Sequence, residues 1–165
     1  MKAIKSLFYK LFLLTLLILC AQMNVQAQNE EKDKEAAVKA MVEARDYVFK
    51  AQIALPMGGS TVQLTSDFDM RVTKNEIVTY LPYYGRAYSA PINPGEGGIR
   101  FTSTNFDYKV QEKKKRGWTI IIQPKDARDV RQLTLSISRS GYANLQVNSN
   151  NRQPISFTGY IAERR

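Results

Sequence analysis

A mainly β fold with one N-terminal α-helix is what this chain predicts, and three observations predict it. Apolar residues recur at steps of three and four between positions 37 and 55. From Ser60 onward they alternate with polar residues, and the alternating runs are separated by turn-length clusters of Gly, Asn, Ser and Lys. A period near 3.6 marks a helix lying on a core, and a period of 2 marks strands with one dry and one wet face.

The helix rests on Ala37, Met41, Ala44, Val48, Ala51 and Leu55, which fall on one stripe. Glu30, Glu31 and Asp33 stand at its start, where carboxylates complement the helix dipole. Glu35 with Lys39, and Asp46 with Lys50, are spaced to pair on the exposed side. Pro56 and the Gly58–Gly59 pair end it. The pattern predicts helix over residues 30–54, within a segment 28–58 that packs on a sheet.

In the sheet region, 59–165, Val62, Leu64, Ser66, Phe68, Met70 and Val72 share one parity, predicting a long strand with its weak point at Ser66 and Asp67. Lys74 and Asn75 turn into a strand at 76–81, and 99–103 is a short one. Phe106, Tyr108 and Val110 are answered, across a turn at 113–117, by Trp118, Ile120 and Ile122. Leu133, Leu135 and Ile137 lead through Ser140 and Gly141 to Ala143, Leu145 and Val147, and a polar turn leads to Ile155, Phe157 and Ile161. About eight strands joined by hairpin-length turns form an antiparallel meander. A sheet of that size curls to remove its edges, so the expected architecture is a lipocalin-like barrel or half-barrel, with a two-sheet sandwich as the alternative.

The first 27 residues predict a signal peptide. Lys2, Lys5 and Lys10 flank an apolar run at 11–20, and Val25-Gln26-Ala27 offers small residues where a signal peptidase reads. Ten or eleven apolar residues fall short of the roughly 20 that span a bilayer. Cys20 follows Leu19, whereas lipidation requires a small residue there, so lipidation is not expected. The expectation is an exported domain, periplasmic or at the cell surface, with no transmembrane segment and no disulfide in the mature chain.

Composition narrows the chemistry. The chain has no histidine, and its single cysteine lies in the signal segment, which removes His-based acid–base work, Cys nucleophiles and the zinc sites built on either. Asp67 and Asp69 share a strand face opposite the apolar one and are expected in solvent. No catalytic residue, metal or cofactor is expected. The chain carries 24 Lys and Arg against 15 Asp and Glu, and 16 of the basic residues fall in 59–165. That excess favours anionic glycans or membrane surfaces; nucleic acid is not an expected partner of an exported protein.

Two clusters are candidate sites. Lys113, Lys114, Lys115 and Arg116 form a basic hairpin tip, read either as a solvated turn that discourages edge pairing or as a contact for anionic lipid, lipopolysaccharide or acidic glycan. Tyr83, Tyr84, Arg86 and Tyr88 sit in a connection punctuated by Pro and Gly, and either hold a sugar or planar ligand or plug one barrel end. The nearby Gly-Glu-Gly-Gly at 95–98 has the glycine density of a phosphate loop, but a strand-like Ile99-Arg100-Phe101 follows it, not a helix.

The stretch Tyr80-Leu-Pro-Tyr-Tyr-Gly-Arg-Ala-Tyr-Ser-Ala-Pro91, the Gly-Gly-Ile-Arg-Phe that follows, and Ser149-Asn-Asn-Arg-Gln-Pro-Ile-Ser-Phe-Thr-Gly159 resemble the bacterial domain of unknown function 4251 family. The likeness runs from about Val48 to the end and takes in Ala54-Leu-Pro-Met-Gly-Gly-Ser-Thr-Val-Gln-Leu-Thr-Ser-Asp-Phe-Asp-Met-Arg-Val72. It implies export in a Gram-negative bacterium and one mostly β domain, and it brings no reaction and no catalytic residue. Pro154, at a strand start, suggests that its strand is an edge. Two readings follow: a non-catalytic β-domain binding a small ligand or glycan near Tyr83, Tyr84, Arg86 and Tyr88, or an envelope protein-interaction module using the basic tip or a sheet edge.

Overall fold

The computed structural model describes residues 30–88, 97–113 and 116–164. The expected signal segment with Cys20, and Lys114 and Lys115 of the basic tip, lie outside the described residues.

The helix, α1, occupies 30–44 and stops ten residues short of its expected end. Arg45 adopts φ 51°, its N–H bonds to the Val42 carbonyl at 3.3 Å, and the Asp46 N–H reaches back to the Met41 carbonyl at 3.2 Å. This pair of bonds around a left-handed residue is a Schellman stop. Beyond it Tyr47–Pro56 is strand β1, which corrects the expectation of helix to residue 54. The stripe through Val48 and Ala51 was an accident of spacing. Tyr47, Phe49 and Ala51 point into the core, Val48 is buried on the other face apart from the core cluster, and the aromatic and β-branched run at 47–49 suits a pleated surface.

All eight expected strands are present, and β1 makes nine. They are β2 (Val62–Val72), β3 (Ile77–Leu81), β4 (Ile99–Ser103), β5 (Phe106–Lys113), β6 (Gly117–Pro124), β7 (Val130–Ile137), β8 (Tyr142–Ser149) and β9 (Ile155–Ala162). They form one antiparallel sheet in the order β4-β3-β2-β1-β9-β8-β7-β6-β5, curled into a nearly closed barrel. β9 is interior, between β1 and β8, and Pro154 stands just before it, so Pro154 does not mark an edge.

Counting alternations along that order, β4 and β5 run in the same direction although only Thr104 and Asn105 join them. Parallel neighbours need a crossover of a dozen or more residues. β4 and β5 are therefore one bent strand whose first half pairs with β3 and whose second half pairs with β6, and this bend brings the sheet round. Asp126 clamps the bend: it accepts bonds from the buried Ser103 hydroxyl at 2.5 Å, the Thr104 N–H at 2.9 Å and the Asn105 N–H at 3.1 Å. The Ser103 hydroxyl, then the backbone donors, hold the Asp126 carboxyl below the usual carboxylate range.

Curvature is set at β1. Ala51 faces Phe68 on β2, but Ile53 faces Gln63; on the other side Ala51 faces Gly159 and Ile53 faces Thr158. The slip on β2 contains the expected weak point at Ser66 and Asp67. At Gly159 the strands come so close that an added Cβ would sit 1.9 Å from the Lys50 carbonyl oxygen, which only glycine permits.

Inward residues of every strand but β5, together with Val38 and Val42 of α1, make one contiguous core cluster, and Phe106 and Tyr108 of β5 pack against it half-buried. Tyr47, Phe49, Met70, Leu145 and Phe157 are each under 2 % exposed, so the barrel interior is filled by side chains. The helix sits at the end holding the β7–β8 turn: Val38 touches the site of Gly141, and Arg139 pairs with Glu35 at 2.7 Å. Tyr47 and Tyr108 share a hydroxyl contact of 3.0 Å beneath the Arg45 guanidinium, which lies 4.6 Å from the Tyr108 ring.

Two predictions follow from this end of the molecule. Burial, and then the neighbouring Tyr108, push the Tyr47 phenol well above its ordinary value, and burial raises Tyr108 as well. An unfolded tyrosine ionises near pH 10. The folded state therefore keeps its full stability below about pH 10 and loses it as the unfolded phenols ionise above that value. Denaturant midpoints measured across this range fall more gently in Tyr47→Phe than in the parent. At the helix stop, Arg45→Gly leaves stability within about 0.5 kcal/mol, since relief of the left-handed strain offsets the lost contact with Tyr108. Arg45→Val, with a branched Cβ in that conformation, costs about 1–2 kcal/mol by the same measurement.

Candidate functional site

The connections at the end of the barrel away from α1 hold Tyr83, Tyr84, Arg86 and Tyr88. Segment 83–88 is tied to segment 151–153 by backbone bonds: Tyr88 N–H to Asn151 at 2.8 Å and Gln153 N–H to Arg86 at 3.0 Å, with Ala87 facing Arg152. The Tyr83 hydroxyl lies 2.9 Å from the Arg86 carbonyl and 3.0 Å from the Gln153 carbonyl, and its ring packs against the core. Burial raises the Tyr83 phenol, against the opposing pull of Arg152.

Arg152 binds this end together. Its side chain is only 14 % exposed, its guanidinium pairs with Asp129 at 2.8 Å, lies 5.2 Å from the Tyr83 ring, and donates to the carbonyls of Gly97 and Gly98 at 3.3 and 3.1 Å. Tyr83 is thus part of the plug. Tyr84, Arg86 and Tyr88 are exposed, and of these Tyr84 and Arg86 share a hollow of about 280 Å³ with Gly58, Gly59 and Gln153. The four residues do not converge on one site.

The basic tip leads elsewhere. Lys113 faces Gly117 across the hairpin, and Arg116 N–H closes the turn on the Lys113 carbonyl at 2.9 Å. Gly117 has φ 96°, and an added Cβ there would lie 2.1 Å from the Ile137 carbonyl, so only glycine lets the tip sit this close to β7. As a result Lys113 and Arg116 line one end of a hollow of about 560 Å³ on the outer face of the sheet.

The wall of that groove is a row across five strands. Thr119 faces Ser136, Ser136 faces Asn144, Asn144 faces Thr158, and Gln52, the residue skipped by the register slip in β1, completes the row. The three hydroxyls and two side-chain amides both donate and accept hydrogen bonds. Tyr142, 69 % exposed, adds a ring at the rim, and none of the lining residues is acidic. The groove thus presents groups that donate and accept hydrogen bonds beside two cations, with Trp118, Ile137 and Ala143 among its other lining residues.

The family model for a domain of unknown function, DUF4251, matches residues 29–161. The chain belongs to the DUF4251 family. A crystal structure of a DUF4251 family protein from Bacteroides eggerthii DSM 20697 is similar at 18 % identity and a TM-score of 0.54, covering 79 % of this chain and 87 % of that one. A likeness at that identity concerns the fold. No curated protein matches the chain.

Sequence reasoning missed most of the groove in this DUF4251 domain. Gln52 was hidden inside an expected helix, and Thr119, Ser136, Asn144 and Thr158 read as ordinary polar-face residues. Asp69 also departs from expectation: it is 8 % exposed, held between Lys50 at 3.6 Å and Arg71 at 3.5 Å on the outer face, while Asp67 is exposed as expected.

The division of labour among the tyrosines is open to measurement. Tyr83→Phe costs about 1 kcal/mol of stability through the lost hydroxyl bonds. Tyr84→Ala and Tyr88→Ala stay within about 0.5 kcal/mol, as exposed side chains do. Equal losses at all three positions would show that the whole segment is packing.

Proposed function

We propose that this DUF4251 domain is an exported, non-catalytic binding module of the cell envelope that holds an anionic, hydroxyl-rich ligand, an acidic glycan, in the groove beside the basic hairpin. The observation that carries the reading is the placement of Lys113 and Arg116 at one end of an acid-free row of hydroxyls and amides. Charge at one end gives attraction and orientation, and the row supplies the directional bonds that distinguish sugars from simple anions. Export is supported by the lysine-flanked apolar segment and small residues of the first 27 positions.

The non-catalytic part of the proposal is supported by where the acids go. Asp69 is held by two cations, Asp107 pairs with Lys125 at 2.9 Å, Asp126 is spent on the strand bend, and Asp129 is paired with Arg152. Carboxylates committed in this way are poor candidates for a pair facing each other across a substrate. The hollow shared by Tyr84 and Arg86 supports a second, smaller contact for the same class of ligand.

Calorimetric titration with a short uronic-acid oligosaccharide tests the proposal. The double variant Lys113→Gln/Arg116→Gln binds about tenfold more weakly, a loss of about 1.4 kcal/mol. The parent's affinity falls as salt is raised, because exposed charges are screened. Asn144→Ala weakens binding without altering the salt dependence. If all three proteins bind alike, the groove is not the site; a loss confined to Tyr84→Ala moves it to the opposite end.

A further inference from the structure

The order of the sheet leaves two edges, β4 and β5, and β5 is the longer. Among the described residues it pairs only with β6, so the backbone N–H and C=O groups on its other side have no ladder. Such an edge is a template for one more strand. Along it Asp107, Lys109, Gln111 and Lys113 point to the outer face, while Phe106, Tyr108, Val110 and Glu112 share the inward parity. Phe106 and Tyr108 pack against the core, but residues 109–113 are all exposed, and Val110 is an aliphatic side chain at an inward position left 42 % in water.

We infer that β5 pairs antiparallel with β5 of a second copy of this chain, about a two-fold axis at Val110, and so joins two barrels into one continuous sheet. The contact is isologous, the same edge serving on both sides. It stands apart from the glycan reading, although Lys113 belongs to the groove as well.

Strand phase and charge together select this register. Residues facing each other across a ladder must lie on the same face, so a strand paired with itself about a two-fold axis has one residue on that axis. An axis at Asp107, Lys109 or Glu112 sets a charge against its own copy, and an axis at Gln111 sets Lys109 against Lys113. An axis at Tyr108 overlaps only 106–110 and centres on a ring already held by Tyr47 and Arg45. The axis at Val110 overlaps 107–113 of both copies and brings no like charges together: Asp107 faces Lys113 at each end, Lys109 faces Gln111, Tyr108 faces Glu112, and the two Val110 side chains cover each other. Asp107 holds Lys125 at 2.9 Å through Oδ1, which leaves Oδ2 for Lys113 of the second copy. The charges that guard this edge against indiscriminate pairing thus leave one long register open. An interface of a single ladder is small, so the association is concentration-dependent, not permanent.

Sedimentation equilibrium and thiol cross-linking test the inference. The protein forms a reversible dimer, and Val110→Lys, at an exposed position, raises the dissociation constant about tenfold or more while leaving the thermal midpoint in place. Asp107→Lys weakens the dimer likewise, and the exchange Asp107→Lys/Lys113→Asp restores it. In a Cys20→Ser background an introduced thiol is the only one in the chain. There Val110→Cys forms an interchain disulfide readily on mild oxidation, because only the axial residue meets its own copy at bonding distance, and Lys109→Cys and Gln111→Cys do so far more slowly. A protein that stays monomeric at every concentration overturns the inference. So does a dimer indifferent to Val110→Lys, which places the contact elsewhere, and so does faster cross-linking at Lys109→Cys or Gln111→Cys, which belongs to the registers that charge forbids.

Discussion

One strand holds the molecule together. In the sheet order, β2, β3 and β4 lie on one side of β1, and β9 to β5 lie on the other. Without the two ladders that β1 makes, the described strands would fall into a three-stranded piece and a five-stranded piece, linked through the bend at Thr104 and Asn105. Closure therefore depends on the chain leaving α1 at Arg45 and entering the sheet at Tyr47. That explains the expense of a non-glycine residue in the left-handed region: a helix continued to residue 54 would stabilise itself locally and remove the strand that joins both halves.

The same strand marks where the sequence was readable and where it was not. Eight strands could be recognised because each alternates on its own and is bounded by turn residues, which is local information. β1 could not, because Ala51 breaks the bulk expected of a strand while falling on a helical stripe with Val48 and Leu55. The reason for that small residue is non-local: Gly159 and Ala143 lie in register with Ala51 where the strands approach most closely. A residue chosen for a neighbour more than a hundred positions away carries no local signature. The Schellman stop was hidden likewise, since its usual glycine is absent.

The candidate sites divide along similar lines. Tyr83, Tyr84, Arg86 and Tyr88 stood out by composition, yet the structure separates them: the half-buried Tyr83 places its hydroxyl on two backbone carbonyls while Tyr84, Arg86 and Tyr88 face water. Lys113 and Arg116 were visible as charge, but the partners that give the charge a shape were not. Thr119, Ser136, Asn144 and Thr158 become a row only through register, and register is a property of paired strands.

Fold and site meet at Gln52. The interior is filled with side chains, and the outer face of a barrel is convex unless something bends it. The slip between Ala51 and Ile53 provides that bend, and the residue it displaces from the ladder is the one that joins the groove to the next hollow. Gly159, which allows β9 to follow β1 through the bend, lines the same groove. The slip thus both bends β1 and opens a hollow on the outer face, and a straighter β1 would lose both together.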